Sequence, residues 1–223
     1  MALSLLRRAA VTPPQARRPT GAAQDYQALI AAADRSDADR KNDERRNPVQ
    51  LLGFTGPKTG WRVLDLGAGG GYSTELMARA VGPTGKVWGQ HDKLSERFLA
   101  RMATPAMAQA TGAERPFDSP VPEGVRDLDL VTFYFAYHDT TFMQVDRARM
   151  NKAVFDMLKP GGFYVIADHS AKPGEGATVG KSLHRIEEET LKQEVLAAGF
   201  KLVAVGDFLR NPDDPRTVSV LSL

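Results

Sequence analysis

The stretch Val63-Leu64-Asp65-Leu66-Gly67-Ala68-Gly69-Gly70-Gly71-Tyr72 constrains the fold more than any other part of this 223-residue chain. An apolar run ends in an acid, a glycine-rich turn follows, and Tyr72 to Ala80 then reads as a helix. A buried strand, a tight turn and a helix N-terminus in that order make one α/β unit. Glycine lets the backbone take positive φ and lets a ligand come close to it. The helix start adds free N–H groups and partial positive charge, which suit a carboxylate or a phosphate.

Beyond Trp61 the apolar runs keep alternating with helical patterns, which argues for a mostly parallel sheet with helices on both faces. Strands are predicted at 62–66, 86–90, 128–135, 162–167 and 200–206, with a weaker one near 111–115. Helices are predicted at 72–80, 94–103, 142–158 and 187–198, the last stopped by Gly199. Thr217 to Leu223 alternates weakly and reads as a final strand. Ahead of this core, Gln24 to Ala33 has helical spacing. Asp34 to Arg46 is dense in both charges and reads as a solvated helix face. Asn47-Pro48 opens a short apolar helix with the proline at its first position. Residues 1–24 hold four arginines and no acid, and read as an unstructured tail; an organellar presequence is the alternative.

Composition excludes several classes. The chain has no cysteine, so disulfides, thiolate metal sites and a cysteine nucleophile are all ruled out. A net charge of +2 without a basic stripe does not suggest a nucleic-acid partner. No apolar run reaches the length of a membrane span. A cytoplasmic location is expected, and the oligomeric state is left open.

A dinucleotide loop follows G-x-G-x-x-G. Here Tyr72 stands where its third glycine would fall, and the glycines come at 67, 69 and 71. With Asp65 closing the strand, the loop resembles motif I of class I S-adenosylmethionine (SAM) methyltransferases. Leu158-Lys159-Pro160-Gly161-Gly162-Phe163 and Leu128-Asp129-Leu130-Val131-Thr132-Phe133 resemble that superfamily's turn before strand five and its strand four. The resemblance implies a Rossmann-like core and SAM as cofactor. It implies that Asp65, Gly67, Ala68, Gly69, Gly71 and Tyr72 cradle the methionine end, with Tyr137 at the neighbouring strand end. The superfamily's ribose-binding acid is replaced here by His91, so Gln90 or His91 is expected to meet the ribose, ahead of Asp92. Asp118 is the candidate for the adenine amino group.

Acceptor chemistry is expected beyond the carboxyl ends of strands four and five, where ligands sit in open α/β sheets. The segment Tyr134-Phe135-Ala136-Tyr137-His138-Asp139 lacks the Asn/Asp-Pro-Pro-aromatic motif of nucleic-acid amino-methyltransferases, so base methylation is disfavoured. His138-Asp139 and Asp168-His169 place two of the four histidines at neighbouring strand ends, each beside an acid. Neutral imidazole is a natural base near pH 7. His138 is the first choice for taking the acceptor's proton and His169 the second, with Asp139 as an orienting acid. His138, Asp139, Asp168 and His169 also make an N/O donor set. Metal-assisted O-methyltransferases use acids and amides instead, so no metal is expected. Tyr134, Phe135, Tyr137 and Phe142 suggest an aromatic pocket for a small organic acceptor.

From about Arg40 to Arg216 the chain resembles a group of largely uncharacterised bacterial "predicted methyltransferases". Tyr137-His138-Asp139, Asp168-His169-Ser170, Leu183-His184-Arg185 and Asp207-Phe208-Leu209-Arg210-Asn211-Pro212 carry the likeness. That group continues further past its Asp-Pro-Arg segment, so the last strand here is expected to be shortened or rebuilt. The expectation is therefore a tail (1–24), a helical cap (25–58) and a SAM-dependent methyltransferase domain (59–223) that moves a methyl group to an O or N of a small acceptor. A SAM-binding regulator with little catalysis and an NAD(P)-dependent oxidoreductase are the alternatives.

Overall fold

A computed structural model of the chain describes residues 2–8 and 25–222, and the side chains among these from Leu6 onward. Seven strands form one sheet: β1 (Ala2–Arg8), β2 (Arg62–Leu66), β3 (Lys86–His91), β4 (Ala110–Glu114), β5 (Leu128–Tyr134), β6 (Leu158–Asp168) and β7 (Phe200–Gly206), in the spatial order β4-β3-β2-β5-β6-β1-β7. The strands from β4 to β6 are mutually parallel, as the alternation of strand and helix predicted.

Before the sheet come α1 (Tyr26–Ile30), α2 (Asp37–Arg46) and α3 (Pro48–Thr55). Between strands run α4 (Tyr72–Val81), α5 (Glu96–Met102), α6 (Arg147–Met157), α7 (Gly180–Leu183) and α8 (Glu188–Ala197). A 3₁₀ turn, Tyr137–Thr141, follows β5. Because successive strand residues point to opposite faces, Val63, Val87, Leu130 and Val165 pack with α3 to α5. Leu64, Leu66, Val131 and Phe133 pack with α6 and α8.

Two expectations at the ends of the chain are corrected. Residues 2–8, expected within an unstructured tail, are a strand antiparallel to both β6 and β7, with Leu6 fully buried. Residues 9–24 lie outside the described residues. Thr217–Leu223 is not a strand: Val220–Ser222 is a 3₁₀ turn, Leu223 lies outside the described residues, and β1 fills the place between β6 and β7. The polar segment Asp207–Ser219 has too few apolar positions to bury as a strand. It is fastened instead by Arg185, whose guanidinium pairs with Asp214 at 2.8 Å and donates to the carbonyls of Ser170 and Val218.

The charged stretch before the sheet is also less solvated than its composition implied. Arg35 (4% exposed) pairs with Asp43, and Asp39 (3% exposed) pairs with Arg101 of α5, which also meets Glu75 of α4. Opposite charges buried together satisfy one another, and these pairs fasten α2 across the sheet's C-terminal edge.

Candidate active site

The connections after β2 and after β5 diverge to opposite sides, so the crevice of this sheet opens above the C-terminal end of β2. The glycine loop lies there. Gly67, Gly69 and Gly71 have φ of 64°, 53° and 82°. The loop's carbonyls turn toward α5, where Ser95 Oγ donates to Gly69 O at 2.9 Å and Arg101 Nε to Gly70 O at 2.9 Å. The N–H groups of Gly69 and Gly70 have no acceptor among the described residues. They form an anion-accepting backbone concavity at the start of α4.

Asp65 is fully buried beneath this loop. Its carboxylate accepts hydrogen bonds from Ser73 Oγ (2.8 Å), Thr74 Oγ1 (2.7 Å) and Thr132 Oγ1 (2.7 Å), which join β2, α4 and β5. Burial raises its pKa, and the three hydroxyls only partly offset this. Ala68 is buried and donates its N–H to Gln90 O. Tyr72 stands at the first position of α4, its hydroxyl donating to Asp43 Oδ1 at 2.6 Å.

Two sequence-predicted ligand residues face away from the crevice. Gln90 has no exposed surface: its amide nitrogen donates to Arg115 O (2.7 Å) and its amide oxygen faces Gly67 N. At a strand end the side chains alternate, so Gln90 points inward and His91, part-exposed with its ring edge-on to Phe117, is the one facing out. Tyr137 is likewise fully buried, its hydroxyl donating to Glu194 and accepting from Asn151 between α8 and α6. Asp118 follows Phe117 in the loop after β4, part-buried, with Arg149 3.8 Å away.

The histidines are paired crosswise between strand ends. His138 Nδ1 lies 2.7 Å from Asp168 Oδ1, and its Nε2 lies 3.2 Å from Asp139 Oδ1. Asp168 Oδ2 also accepts the His138 backbone N–H at 2.7 Å. Burial alone would lower the His138 pKa; the Asp168 charge and the hydrogen bonds to Asp139 and Asp168 override it and push it up to about 10. Carboxylates face both ring nitrogens of His138, which leaves it worse placed than His169 to take an acceptor's proton.

His169 differs in kind. Its ring nitrogens have no hydrogen-bond partner among the described residues, and burial lowers its pKa to about 4, so it is neutral with an available lone pair. It lines a cavity of about 400 Å³ together with Arg46, Phe135, Leu209 and Asn211. Of the four aromatics expected to form a pocket, only Phe135 lines this cavity. Tyr134 is tied to Thr55 in the core, and Phe142 packs against His184.

Arg46 is a residue that sequence reasoning passed over. Its guanidinium lies 4.9 Å from the Tyr72 ring centre and 4.9 Å from that of Phe135, between the glycine loop and the cavity. It has no carboxylate partner among the described residues, and burial lowers its pKa. Its position two residues before Pro48, at the end of a charged helix, was the available signal.

A mostly parallel sheet of this order, with a glycine loop and an acid at its first crossover, has the Rossmann-like architecture. No family model matches the chain. A ubiquinone/menaquinone biosynthesis C-methyltransferase UbiE of Burkholderia multivorans is 31% identical over 122 residues, covering 51% of this chain and 45% of that protein. The chain spans about half the length of the curated relatives it matches. A SAM-dependent methyltransferase from Aquifex aeolicus has the same fold, with a TM-score of 0.61 at 17% identity over 79% of this chain and 89% of that one. So does the [4+2]-cyclase SpnF, with a TM-score of 0.57 at 19% identity over 75% of this chain and 58% of that one. The chain thus shares the fold of SAM-dependent methyltransferases and, over about half its length, is similar to curated C-methyltransferases.

Proposed function

We propose that this protein transfers a methyl group from SAM to a small organic acceptor held in the cavity beside His169. The supporting observation is the juxtaposition of unpaired Gly69 and Gly70 N–H groups, the Arg46 guanidinium and the His169 cavity along one crevice. The SAM carboxylate suits the N–H groups and Arg46. His91 stands for the ribose and Asp118 for the adenine amino group. In the transfer the methyl carbon leaves sulfur as it bonds to the acceptor, and the acceptor's proton passes to the free imidazole nitrogen of His169. Alignment of this kind contributes about 7–11 kcal/mol of barrier reduction and a base about 10²–10⁴ in rate. An O or N acceptor is the favoured reading; transfer to carbon, as the curated relatives' name C-methyltransferase describes for them, would use the same base.

Calorimetry with S-adenosylhomocysteine, followed by transfer of labelled methyl from SAM into a cell extract, tests the reading. His169→Ala should bind the cofactor product as the wild type does and lose at least a hundredfold in turnover. Product binding without any labelled acceptor would favour a regulatory SAM-binding protein. Heat with NADPH and none with the SAM product would favour an oxidoreductase. Among the described residues no helix is long and apolar enough to cross a membrane.

A further inference from the structure

His184 was not assigned a role above, yet it completes a cluster at the side of the crevice. It caps the C-terminus of α7, and its Nδ1 lies 3.2 Å from Asp139 Oδ1, the same oxygen that lies 3.2 Å from His138 Nε2. The three donor atoms all fall within 4.8 Å of one another. Two imidazoles and a carboxylate form a donor set that suits first-row transition ions rather than magnesium or calcium. Ion-to-ligand distances of about 2.0–2.2 Å put neighbouring donors roughly 3 Å apart, so both histidine–aspartate edges already have the length an ion requires.

We propose that His138, Asp139 and His184 bind a divalent transition-metal ion, with Asp168 orienting His138 from behind. Three further observations bear on this. His138 meets Asp168 through the nitrogen that faces away from the cluster, the carboxylate–histidine arrangement that fixes metal-bound imidazoles elsewhere. His184 takes a left-handed backbone conformation (φ 53°) as the C-cap of α7, which turns the chain at the point where its ring meets Asp139. Finally, the two ligand-bearing segments are pressed together at Gly180. A Cβ there would lie 1.9 Å from Thr141 Oγ1 and 3.0 Å from the His138 carbonyl oxygen. Only glycine lets α7 approach the 3₁₀ turn closely enough to bring His184 to Asp139.

The site is reachable. The Asp139 and His184 side chains are 34% and 23% exposed, whereas His138 is 4% exposed. An ion would thus enter from solvent onto a buried, pre-oriented imidazole, keeping open positions on its outer side. The donor set also differs from the one weighed and set aside from sequence, in which Asp168 and His169 stood in place of His184. Asp168 is occupied behind His138, and His169 faces the cavity.

The test uses the full chain after chelator treatment. Zn²⁺ is titrated calorimetrically, and Co²⁺ is followed by its visible absorption, whose intensity reports coordination by protein nitrogen and oxygen. Stoichiometric binding of both ions is expected, with a rise in the thermal midpoint. His184→Ala should abolish the cobalt spectrum while S-adenosylhomocysteine still binds, which shows that the variant is folded. Asp168→Asn should weaken Zn²⁺ about 10–100-fold, and Gly180→Ala should weaken it with every ligand intact. Failure of the wild type to bind either ion would overturn the proposal, as would a cobalt spectrum unchanged in His184→Ala. Either result would mean that Asp139 merely bridges two imidazole N–H groups. Neither result bears on cofactor binding at the glycine loop.

Discussion

Gly67 and Gly69 share a left-handed backbone but face different surroundings, so replacing each with alanine separates folding from ligand binding. A Cβ at Gly67 would lie 2.9 Å from Phe133 Cε2 and 3.1 Å from Ala136 Cβ. Phe133 is fully buried, stacked 5.9 Å from Phe117, and has no room to withdraw. The left-handed conformation costs about 1–2 kcal/mol once a Cβ is present, and overpacking a core adds about 1–3 kcal/mol. Gly67→Ala should therefore destabilise the protein by about 2–5 kcal/mol. With m-values of about 1–3 kcal/mol/M, the urea midpoint should fall by about 1 M or more. At Gly69 the nearest atom to a new Cβ, Gly67 O, is 3.8 Å away, so only the conformational cost applies. That Cβ would stand beside the unpaired N–H groups, however, where a bound carboxylate must come. Gly69→Ala should keep its unfolding free energy within about 2 kcal/mol of wild type and lose at least tenfold in affinity for S-adenosylhomocysteine, equivalent to about 1.4 kcal/mol. Urea unfolding and calorimetry on both variants decide the matter. The opposite ranking, with Gly67→Ala stable and Gly69→Ala binding normally, would refute the assignment of the loop's outer face to the cofactor.

Other outcomes follow from the same geometry. Arg46→Met should weaken S-adenosylhomocysteine about tenfold or more, since hydrogen bonds to charged groups are worth about 1.5–3 kcal/mol. Methylthioadenosine, which lacks the amino-acid carboxylate, should bind both forms equally; an equal loss for the two ligands would count against a carboxylate role. Burial would raise the Asp39 pKa, but its pairing with Arg101 and its bond to Ser36 hold it below the usual carboxylate value. A depressed folded-state pKa contributes stability that is present above the unfolded value of about 3.9 and lost as pH falls through the folded one. Unfolding midpoints should thus drop below about pH 4, and Asp39→Asn should flatten that limb; an unchanged limb would assign it to other acids. Leu6→Ala should cost about 2–5 kcal/mol, since Leu6 is fully buried between α-helix and sheet partners of the core; a loss below 1 kcal/mol, read by denaturant unfolding, would mean that β1 contributes little to the folded state.

Most of the parallel core was legible because each strand is a short apolar run bounded by its own turn signals. β2 matches its predicted bounds, and β3, β4 and β7 lie within a residue or so of theirs. β1 was not legible, because its partners Phe163–Asp168 and Phe200–Gly206 lie far along the chain and nothing local marks an arginine-flanked run as a strand. The partners of His138 were hidden for a similar reason. His138 and Asp139 are neighbours in sequence, but the decisive partner of His138 is Asp168, from the adjoining strand end. Whether a strand-end side chain faces ligand or core depends on a one-residue alternation, which is why Gln90 and Tyr137 were placed on the wrong side. Arg46 looked like one more solvated cation until the fold set it between two rings.

The insertion of residues 2–8 between β6 and β7 has a consequence for how the protein is made. This segment leaves the ribosome well before its neighbours in the sheet, which lie more than 150 residues further along the chain. At about 5–20 residues per second, it waits roughly ten to forty seconds before β7 exists to receive it. From the time β6 is made until β1 docks, the outer flank of β6 is an open edge, able to recruit strands from other chains. Completion of the sheet is therefore a late, long-range closure, and a chaperone that shields this early-made segment would guard the step most exposed to error.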